Sequence, residues 1–106
     1  MSHLTTHILD ATAGTPASGV EVTLHDGAGS VIASGRTDED GRLALGPDTL
    51  EPGTHTLTFA TGDYFAARGV ATFYPSVTVA FTVGVRPHYH VPLLLSPFGY
   101  STYRGS

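Results

Sequence analysis

The residues best suited to chemistry in this sequence are its six histidines, which occur in a chain with one methionine and no cysteine. Two of them, His88 and His90, stand one residue apart in the segment HYHVPLLL. Alternate side chains of an extended strand share a face, which places these two imidazoles about 6.5–7 Å apart on the face opposite the apolar residues of the strand. Imidazole changes its charge near neutral pH, and His90, in combination with His7, is therefore a candidate for acid–base chemistry.

A third histidine, His7, stands in the middle of the alternating segment HLTTHIL. Alternation places His7 on one face with Thr5 and Leu9, at a position where an aliphatic residue would be ordinary. Three histidines are interpreted instead as surface groups in contact with solvent or with a local hydrogen-bond partner: His3, His25 and His55.

Other chemistries lack part of their sequence signature. The H-x-H pair could supply two ligands to zinc, but zinc normally requires a third protein ligand, and the sequence does not show which residue that would be. Serines near the histidines stand in no G-x-S-x-G or comparable motif. The glycines of GAGSVIASG lack the Lys-Ser/Thr and the following helix of a phosphate loop. We expect no metal and no nucleophilic serine.

Arg42 follows the Asp-Gly turn in DGR and is one of only five cationic residues, none of them lysine. Most arginines at such a position face solvent. If Arg42 met His7 and His90 in space, its guanidinium could polarise a carbonyl or hold an anion. Sequence spacing alone does not show whether the three residues meet.

Composition limits the function classes. The 106 residues suit one domain, 1–106, with 41% hydrophobic and 13% charged residues. A net charge of −4 argues against nucleic acid as a partner. No apolar run approaches the ~20 residues of a membrane span, and the first residues lack the features of a signal peptide. We expect a cytoplasmic protein.

Apolar residues recur with period two in short segments separated by Gly, Pro and Asp, which predicts an all-β, two-sheet sandwich of eight strands. The predicted strands span residues 3–9, 19–26, 30–37, 42–46, 54–61, 76–83, 88–95 and 100–104. One short helix is predicted in GDYFAARG, residues 62–69, with Asp63 as its N-cap and Gly69 at its end.

Four segments together resemble the transthyretin-related 5-hydroxyisourate hydrolases: THILD, TDEDGR, YFAARGVATFYPSVTVAF and HYHVPLLLSPFGYSTYRGS. The similarity covers essentially the whole chain. The closing Tyr-Arg-Gly-Ser is specific for the enzyme branch, whereas transthyretin shares the LLSP and YST elements but lacks that ending. The resemblance is therefore to the hydrolases and not to the hormone carrier.

The resemblance implies an eight-stranded transthyretin-like sandwich with one short helix, assembled as a homotetramer, a dimer of dimers with its sites in a channel between dimers. It implies hydrolysis of 5-hydroxyisourate to 2-oxo-4-hydroxy-4-carboxy-5-ureidoimidazoline in urate degradation, by cleavage of the N1–C6 bond of a cyclic amide and without a cofactor. The chain ends in Arg-Gly-Ser without a peroxisomal Ser-Lys-Leu, and this also favours a cytoplasmic location.

Carried over to this sequence, the resemblance implies three catalytic residues, His7, Arg42 and His90. It further implies that Tyr103, Arg104 and Ser106 bind substrate. Which histidine is the general base, and what His88 does, stay open. The alternative function is a tetrameric carrier of a small aromatic ligand, but a carrier needs an apolar channel with few converging polar groups. A purely structural sandwich would leave the site residues unexplained.

Overall fold

Two β-sheets packed face to face, with one short helix, make up the computed structural model, which describes residues 2–106. The strands are β1 (Leu4–Asp10), β2 (Thr15–Pro16), β3 (Glu21–His25), β4 (Val31–Arg36), β5 (Arg42–Leu45), β6 (Gly53–Phe59), β7 (Val77–Val83), β8 (Tyr89–Ser96) and β9 (Gly99–Thr102), and helix α1 is Thr61–Ala66.

The first sheet has the order β2-β1-β8-β9, and β5 also pairs with β1. The second sheet has the order β4-β3-β6-β7. β1 and β8 run parallel, whereas the other pairs within both sheets are antiparallel. The two parallel strands come from opposite ends of the chain and lie at the centre of their sheet.

The hydrophobic core lies between the two sheets and is built from alternate residues of each strand. In β1, Leu4 and Ile8 are fully buried, while Leu9 on the opposite face is 36% exposed. The other large, fully buried side chains come from both sheets and from α1: Val20, Val22, Leu24, Leu57, Phe59, Phe65, Val77, Val83, Leu93 and Leu95. The outer face of the first sheet is thereby left free for polar residues.

The predicted all-β sandwich with one short helix is confirmed, and two details of its strands differ. A two-residue strand, β2, pairs with the end of β1 and was not predicted. The last strand is assigned over Gly99–Thr102, whereas the prediction extended it to residue 104. Pro92 of β8 lies opposite the segment that follows β9, and proline has no N–H to donate. The regular backbone hydrogen bonds between the two strands therefore stop at this point.

The helix begins earlier than predicted, and Asp63 is not its N-cap. Ala60 occupies the N-cap position without a side-chain cap, and Asp63 lies in the first turn, where its charge suits the helix dipole. The helix also ends earlier, at Ala66, and the predicted end residue Gly69 closes the turn that follows it. Gly69 N–H donates to Ala66 O, and Val70 N–H donates to Phe65 O, the pair of bonds that defines a Schellman motif.

The interpretation of His3 and His55 as surface groups is wrong, because both side chains are buried, at 5% and 3% exposure. His3 Nδ1 accepts from Leu50 N–H at 2.9 Å, so Nε2 carries the hydrogen and donates to Arg86 O at 2.7 Å. With both nitrogens bonded, the ring is buried without an unpaired polar atom. His55 packs against Phe81, with 6.0 Å between ring centroids.

A buried hydrogen bond ties α1 to the end of β1. Tyr64 OH donates to Asp10 Oδ2 at 2.9 Å, while Asp10 Oδ1 accepts from the N–H groups of Thr12 and Ala13. Burial raises the pKa of Tyr64 to about 12, and the hydrogen bond to Asp10 and the Asp10 charge act in the same direction, against the nearby Arg68. The neutral phenol is therefore the form that the fold requires.

Tyr64→Phe is expected to lower the free energy of unfolding by about 1–3 kcal/mol, because Asp10 Oδ2 would remain buried without its donor. The measurement is urea denaturation at one fixed protein concentration, with Tyr100→Phe as the control, since Tyr100 is 43% exposed. Because the folded pKa of Tyr64 is raised, its stabilisation is complete below pH ~10 and is lost as the pH rises towards 12. Equal stability of the two variants would contradict this role.

Candidate functional site

The outer face of the first sheet brings His7, Arg42 and His90 together in two neighbouring rows of paired residues. In one row, His7 pairs with Arg42 of β5 on one side and Pro92 of β8 on the other. In the next row, Thr5 pairs with His90 of β8. Directly paired residues point to the same face of a sheet, about 5 Å from their neighbours, so all three predicted catalytic residues share one surface.

The turn DEDGR positions Arg42. Asp38 Oδ1 accepts from Asp40 N–H at 2.9 Å and from Arg42 N–H at 3.0 Å, and Gly41 N–H donates to Asp38 O at 2.9 Å. Gly41 has φ +74°, and a Cβ there would collide with the backbone oxygen of Ile8. Glycine is therefore required for this turn to close against β1.

The same turn fixes the ring of His7. His7 Nε2 lies 2.9 Å from the backbone oxygen of Asp40. A carbonyl oxygen can only accept, so Nε2 carries the hydrogen and Nδ1 of the neutral ring keeps a lone pair. His7 therefore offers an acceptor, or a base, at Nδ1.

Thr5 contacts both histidines of the H-x-H pair. Its hydroxyl oxygen lies 2.8 Å from His90 Nδ1 and 2.8 Å from His88 Nε2. Thr5 and His90 are half-buried, and His88 is exposed. The three side chains form a hydrogen-bonded chain from the sheet surface to the solvent.

The electrostatic surroundings keep His90 neutral. Burial lowers the pKa of His90 below its usual value of 6.5, a hydrogen bond to the backbone of Thr5 opposes the shift, and charge repulsion from Arg42, His7 and His88 lowers the pKa further. A histidine with a lowered pKa is unprotonated at neutral pH and can accept a proton.

A cavity of about 410 Å³ opens beside these residues, with Thr5, Arg42 and His90 among its lining. Asp38 and Arg36 also line it. No hydrogen-bond or ion-pair partner for the Arg42 guanidinium is found within residues 2–106. Its five N–H groups are thus available to a carbonyl or an anion in the cavity.

The closing residues of the chain reach His90. The register that pairs Leu93 with Thr102 continues to an isolated bridge between His90 and Gly105, in which Gly105 N–H donates to His90 O at 2.9 Å. A Cβ on Gly105 would lie 2.5 Å from His90 Cδ2 and 3.2 Å from Pro92 Cγ. Only glycine allows the chain to lie this close to the imidazole.

The predicted substrate-binding residues lie around this bridge. Tyr103 is 59% exposed, and the continued register places it beside Pro92 on the outer face. Arg104 lines a second cavity of about 500 Å³, which also contacts His90 and Tyr103 and whose other walls include Phe81, Val85 and Arg86. Ser106 is exposed.

Sequence reasoning did not assign a role to two residues that contact His90. Alternation had placed Thr5 on the face of His7, but nothing local to either strand shows that Thr5 stands beside His90. Gly105 was recognised only as part of the closing motif. A glycine between polar residues at a chain end carries no signal of a ring packed against it.

The described residues form neither a cluster of metal ligands nor a membrane-spanning helix. Within residues 2–106, no three His, Cys, Asp or Glu side chains come together so as to hold a metal ion. No helix in this part of the chain has the length and apolar character needed to cross a bilayer.

Comparison with known proteins gives consistent matches over nearly the whole chain. Residues 4–105 match the model of the HIUase/Transthyretin family. The 5-hydroxyisourate hydrolase of Salmonella typhimurium is 48% identical over 109 residues, covering 97% of this chain and 80% of that protein.

Solved structures also match nearly the whole chain. The structure of Klebsiella pneumoniae 5-hydroxyisourate hydrolase has a TM-score of 0.91 and 41% identity, covering 100% of this chain and 94% of that one. The structure of transthyretin from Sparus aurata has a TM-score of 0.88 and 31% identity, covering 99% of this chain and 97% of that one. Identity is thus higher to the hydrolase than to this transthyretin.

Gly105→Ala is expected to detach the closing residues from His90, since the new methyl group has no room beside the ring. The amide of residue 105 should then exchange its hydrogen much faster, as measured by NMR. Gly99→Ala is the matched control in the same hairpin, because the nearest atom to its Cβ would be Ser96 Oγ at 3.6 Å. Unchanged protection at residue 105 would contradict the packing described.

Proposed function

The chain belongs to the HIUase/transthyretin family as one of its 5-hydroxyisourate hydrolases, and we propose that it opens the substrate ring with His7, Arg42 and His90. The reaction is a step of urate degradation, and the proposed chemistry is hydrolysis of a cyclic amide without a cofactor. The observation that carries the proposal is the convergence of Arg42 and His90 on one cavity, with His7 paired directly to Arg42.

In the proposed reaction, His90 Nε2 takes a proton from a water molecule whose oxygen attacks the C6 carbonyl carbon. The tetrahedral intermediate then collapses with cleavage of the C6–N1 bond, and N1 takes the proton from the His90 imidazolium. The products are the carboxylate and the ureido group of 2-oxo-4-hydroxy-4-carboxy-5-ureidoimidazoline. One histidine serves first as base and then as acid.

His90 is proposed as the base because of its surroundings. Its pKa is lowered by burial and by the neighbouring positive charges, so the neutral form dominates at pH 7. Arg42 lines the same cavity and is proposed to stabilise the negative charge that develops on the C6 oxygen.

His7 is proposed to orient the substrate. Its Nε2–H is engaged by Asp40 O, so the neutral ring presents Nδ1 as an acceptor for an N–H or hydroxyl group of the substrate. Such orientation contributes to the rate without any transfer of a proton to His7.

Tyr103, Arg104 and Ser106 are proposed to bind the substrate. The support is their position next to Gly105, which contacts His90, and the cavity that Tyr103 and Arg104 share with His90. Phenol, guanidinium and hydroxyl groups can supply hydrogen bonds to the polar edge of the substrate ring.

We further propose that residues 1–106 act as one domain within a homotetrameric, cytoplasmic enzyme. The outer face that carries the site also exposes apolar side chains, with Leu9 at 36%, Leu94 at 37% and Tyr103 at 59% exposure. A second subunit laid over this face would bury them and close the site from solvent.

The carrier function is less well supported by the site. An apolar ligand would meet the imidazoles of His7 and His90 and the guanidinium of Arg42, and covering these groups without polar partners is costly. The same groups suit a small, polar, carbonyl-rich ring.

His90→Gln and Arg42→Gln are each expected to lower kcat by at least about 10²-fold, because a base or an oxyanion-stabilising group is lost. Decay of freshly generated 5-hydroxyisourate is followed by ultraviolet absorbance against its spontaneous decay, and the oligomeric state is measured alongside. His25→Gln on the other sheet is the control and should keep the full rate. Wild-type decay no faster than spontaneous would refute the enzymatic function, and full activity in a site variant would refute that residue's role.

The rate should fall at acidic pH with a midpoint below pH 6.5, because the pKa of His90 lies below the ordinary histidine value. A base works in its unprotonated form, so activity is lost as the pH falls through this pKa. NMR titration of the His90 ring should give the same midpoint, and Arg42→Gln should move it to higher pH by removing a positive charge. A midpoint above 6.5 in the wild type would contradict this assignment.

A further inference from the structure

The hydroxyl group of Thr5 stands between two imidazoles at equal distances. It lies 2.8 Å from His90 Nδ1 and 2.8 Å from His88 Nε2. The backbone explains the arrangement, because Thr5 pairs with His90 across the two parallel strands, and His88 precedes His90 by two residues along the chain. No role for Thr5 or His88 follows from the catalytic roles proposed above.

A hydroxyl group has one hydrogen, so it can donate to only one of the two nitrogens, and within residues 2–106 these nitrogens are the only partners of the Thr5 hydroxyl. When the rings are neutral and this hydrogen is used between them, two arrangements satisfy both contacts. In the first, His90 Nδ1–H donates to Thr5, and Thr5 donates to His88 Nε2. In the second, His88 Nε2–H donates to Thr5, and Thr5 donates to His90 Nδ1. The tautomer of one histidine therefore determines that of the other.

The two arrangements differ at His90 Nε2. In the first, Nε2 has a lone pair; in the second, it carries a hydrogen. Among the described residues no acceptor for His90 Nε2 is found, and His90 is half-buried. Only the first arrangement leaves Nε2 with the lone pair that a general base requires. His88 is exposed, so its Nδ1–H in the first arrangement can be hydrated by solvent.

We propose that Thr5 and His88 are positioning residues for the general base, and that they hold the hydrogen of His90 on Nδ1 so that Nε2 faces the water with its lone pair. This inference rests on the proposed function, in which His90 Nε2 takes the proton. In this role His88 acts without contacting the substrate. Thr5 acts through its hydroxyl group and not through its methyl group.

The proposal predicts a specific pattern among variants. Thr5→Val keeps the shape of the side chain but removes the hydroxyl, so kcat should fall about 10- to 100-fold while KM changes little. Thr5→Ser keeps the hydroxyl and should stay within about threefold of the wild type. His88→Ala removes the acceptor at an exposed position, where folding is not at risk, and should lower kcat in the same direction as Thr5→Val.

The control is Thr58→Val on the other sheet, where the Thr58 and Thr78 hydroxyls are 3.3 Å apart. This change also removes a threonine hydroxyl from an outer sheet face, but far from the site in the fold. It should leave kcat, KM and the His90 tautomer unchanged.

The decisive measurement is the ¹⁵N NMR spectrum of the His90 ring, recorded without substrate at a pH where the ring is neutral. In the wild type and in Thr5→Ser, Nδ1 should carry the hydrogen; in Thr5→Val and His88→Ala, the signals should move towards the Nε2–H form. An Nε2–H tautomer in the wild type, or an unchanged Nδ1–H tautomer in both Thr5→Val and His88→Ala, would overturn the inference. A wild-type protein without hydrolase activity would instead refute the proposed function, and the NMR result would still show whether Thr5 fixes the tautomer.

Discussion

The parallel pairing of β1 with β8 is the constraint on which the candidate site depends. Its register places Thr5 beside His90 and His7 beside Pro92. The register is itself fixed by burial, because Leu4 and Ile8 of β1 and Leu93 and Leu95 of β8 must all face the core. A shift of one residue would turn His7 inward and Ile8 outward, so the packing that stabilises the sandwich also aligns the face that carries the candidate site.

Pro92 determines how the closing residues approach this face. It stands in a central strand, where proline is rare, and its missing N–H interrupts the ladder with the continuation of β9. Thr102 Oγ1 donates to Pro92 O at 2.7 Å and so keeps the chain close before the gap. Pairing resumes at Gly105, whose missing side chain admits the His90 ring. The gap leaves Tyr103 and Arg104 without regular backbone pairing, directly beside the proposed base.

Features local to one segment could be predicted from the sequence, and features that join distant segments could not. Alternation within β1 correctly grouped Thr5 with His7, and the Asp-Gly turn correctly led into the strand that begins at Arg42. The register between β1 and β8 joins residues more than eighty positions apart and leaves no periodic pattern in the sequence. The contacts of the Thr5 hydroxyl with His88 and His90 therefore could not be predicted. His3 was misjudged for a similar reason, since its two hydrogen-bond partners, Leu50 and Arg86, lie in remote loops.

A site on the outer face of a sheet is open to water unless another part of the protein or a second subunit covers it. The interior of the sandwich is filled by side chains, whereas the outer face presents imidazole, hydroxyl and guanidinium groups at strand spacing but leaves them open to water. Electrostatic stabilisation of an oxyanion is strong only where water is excluded. The exposed Leu9 and Leu94 lie one row beyond His7 on the same face, so a second subunit seated on them would lower the local dielectric at the proposed catalytic groups. In such an assembly, weakening the apolar contact would slow the chemistry without altering any residue that touches the substrate.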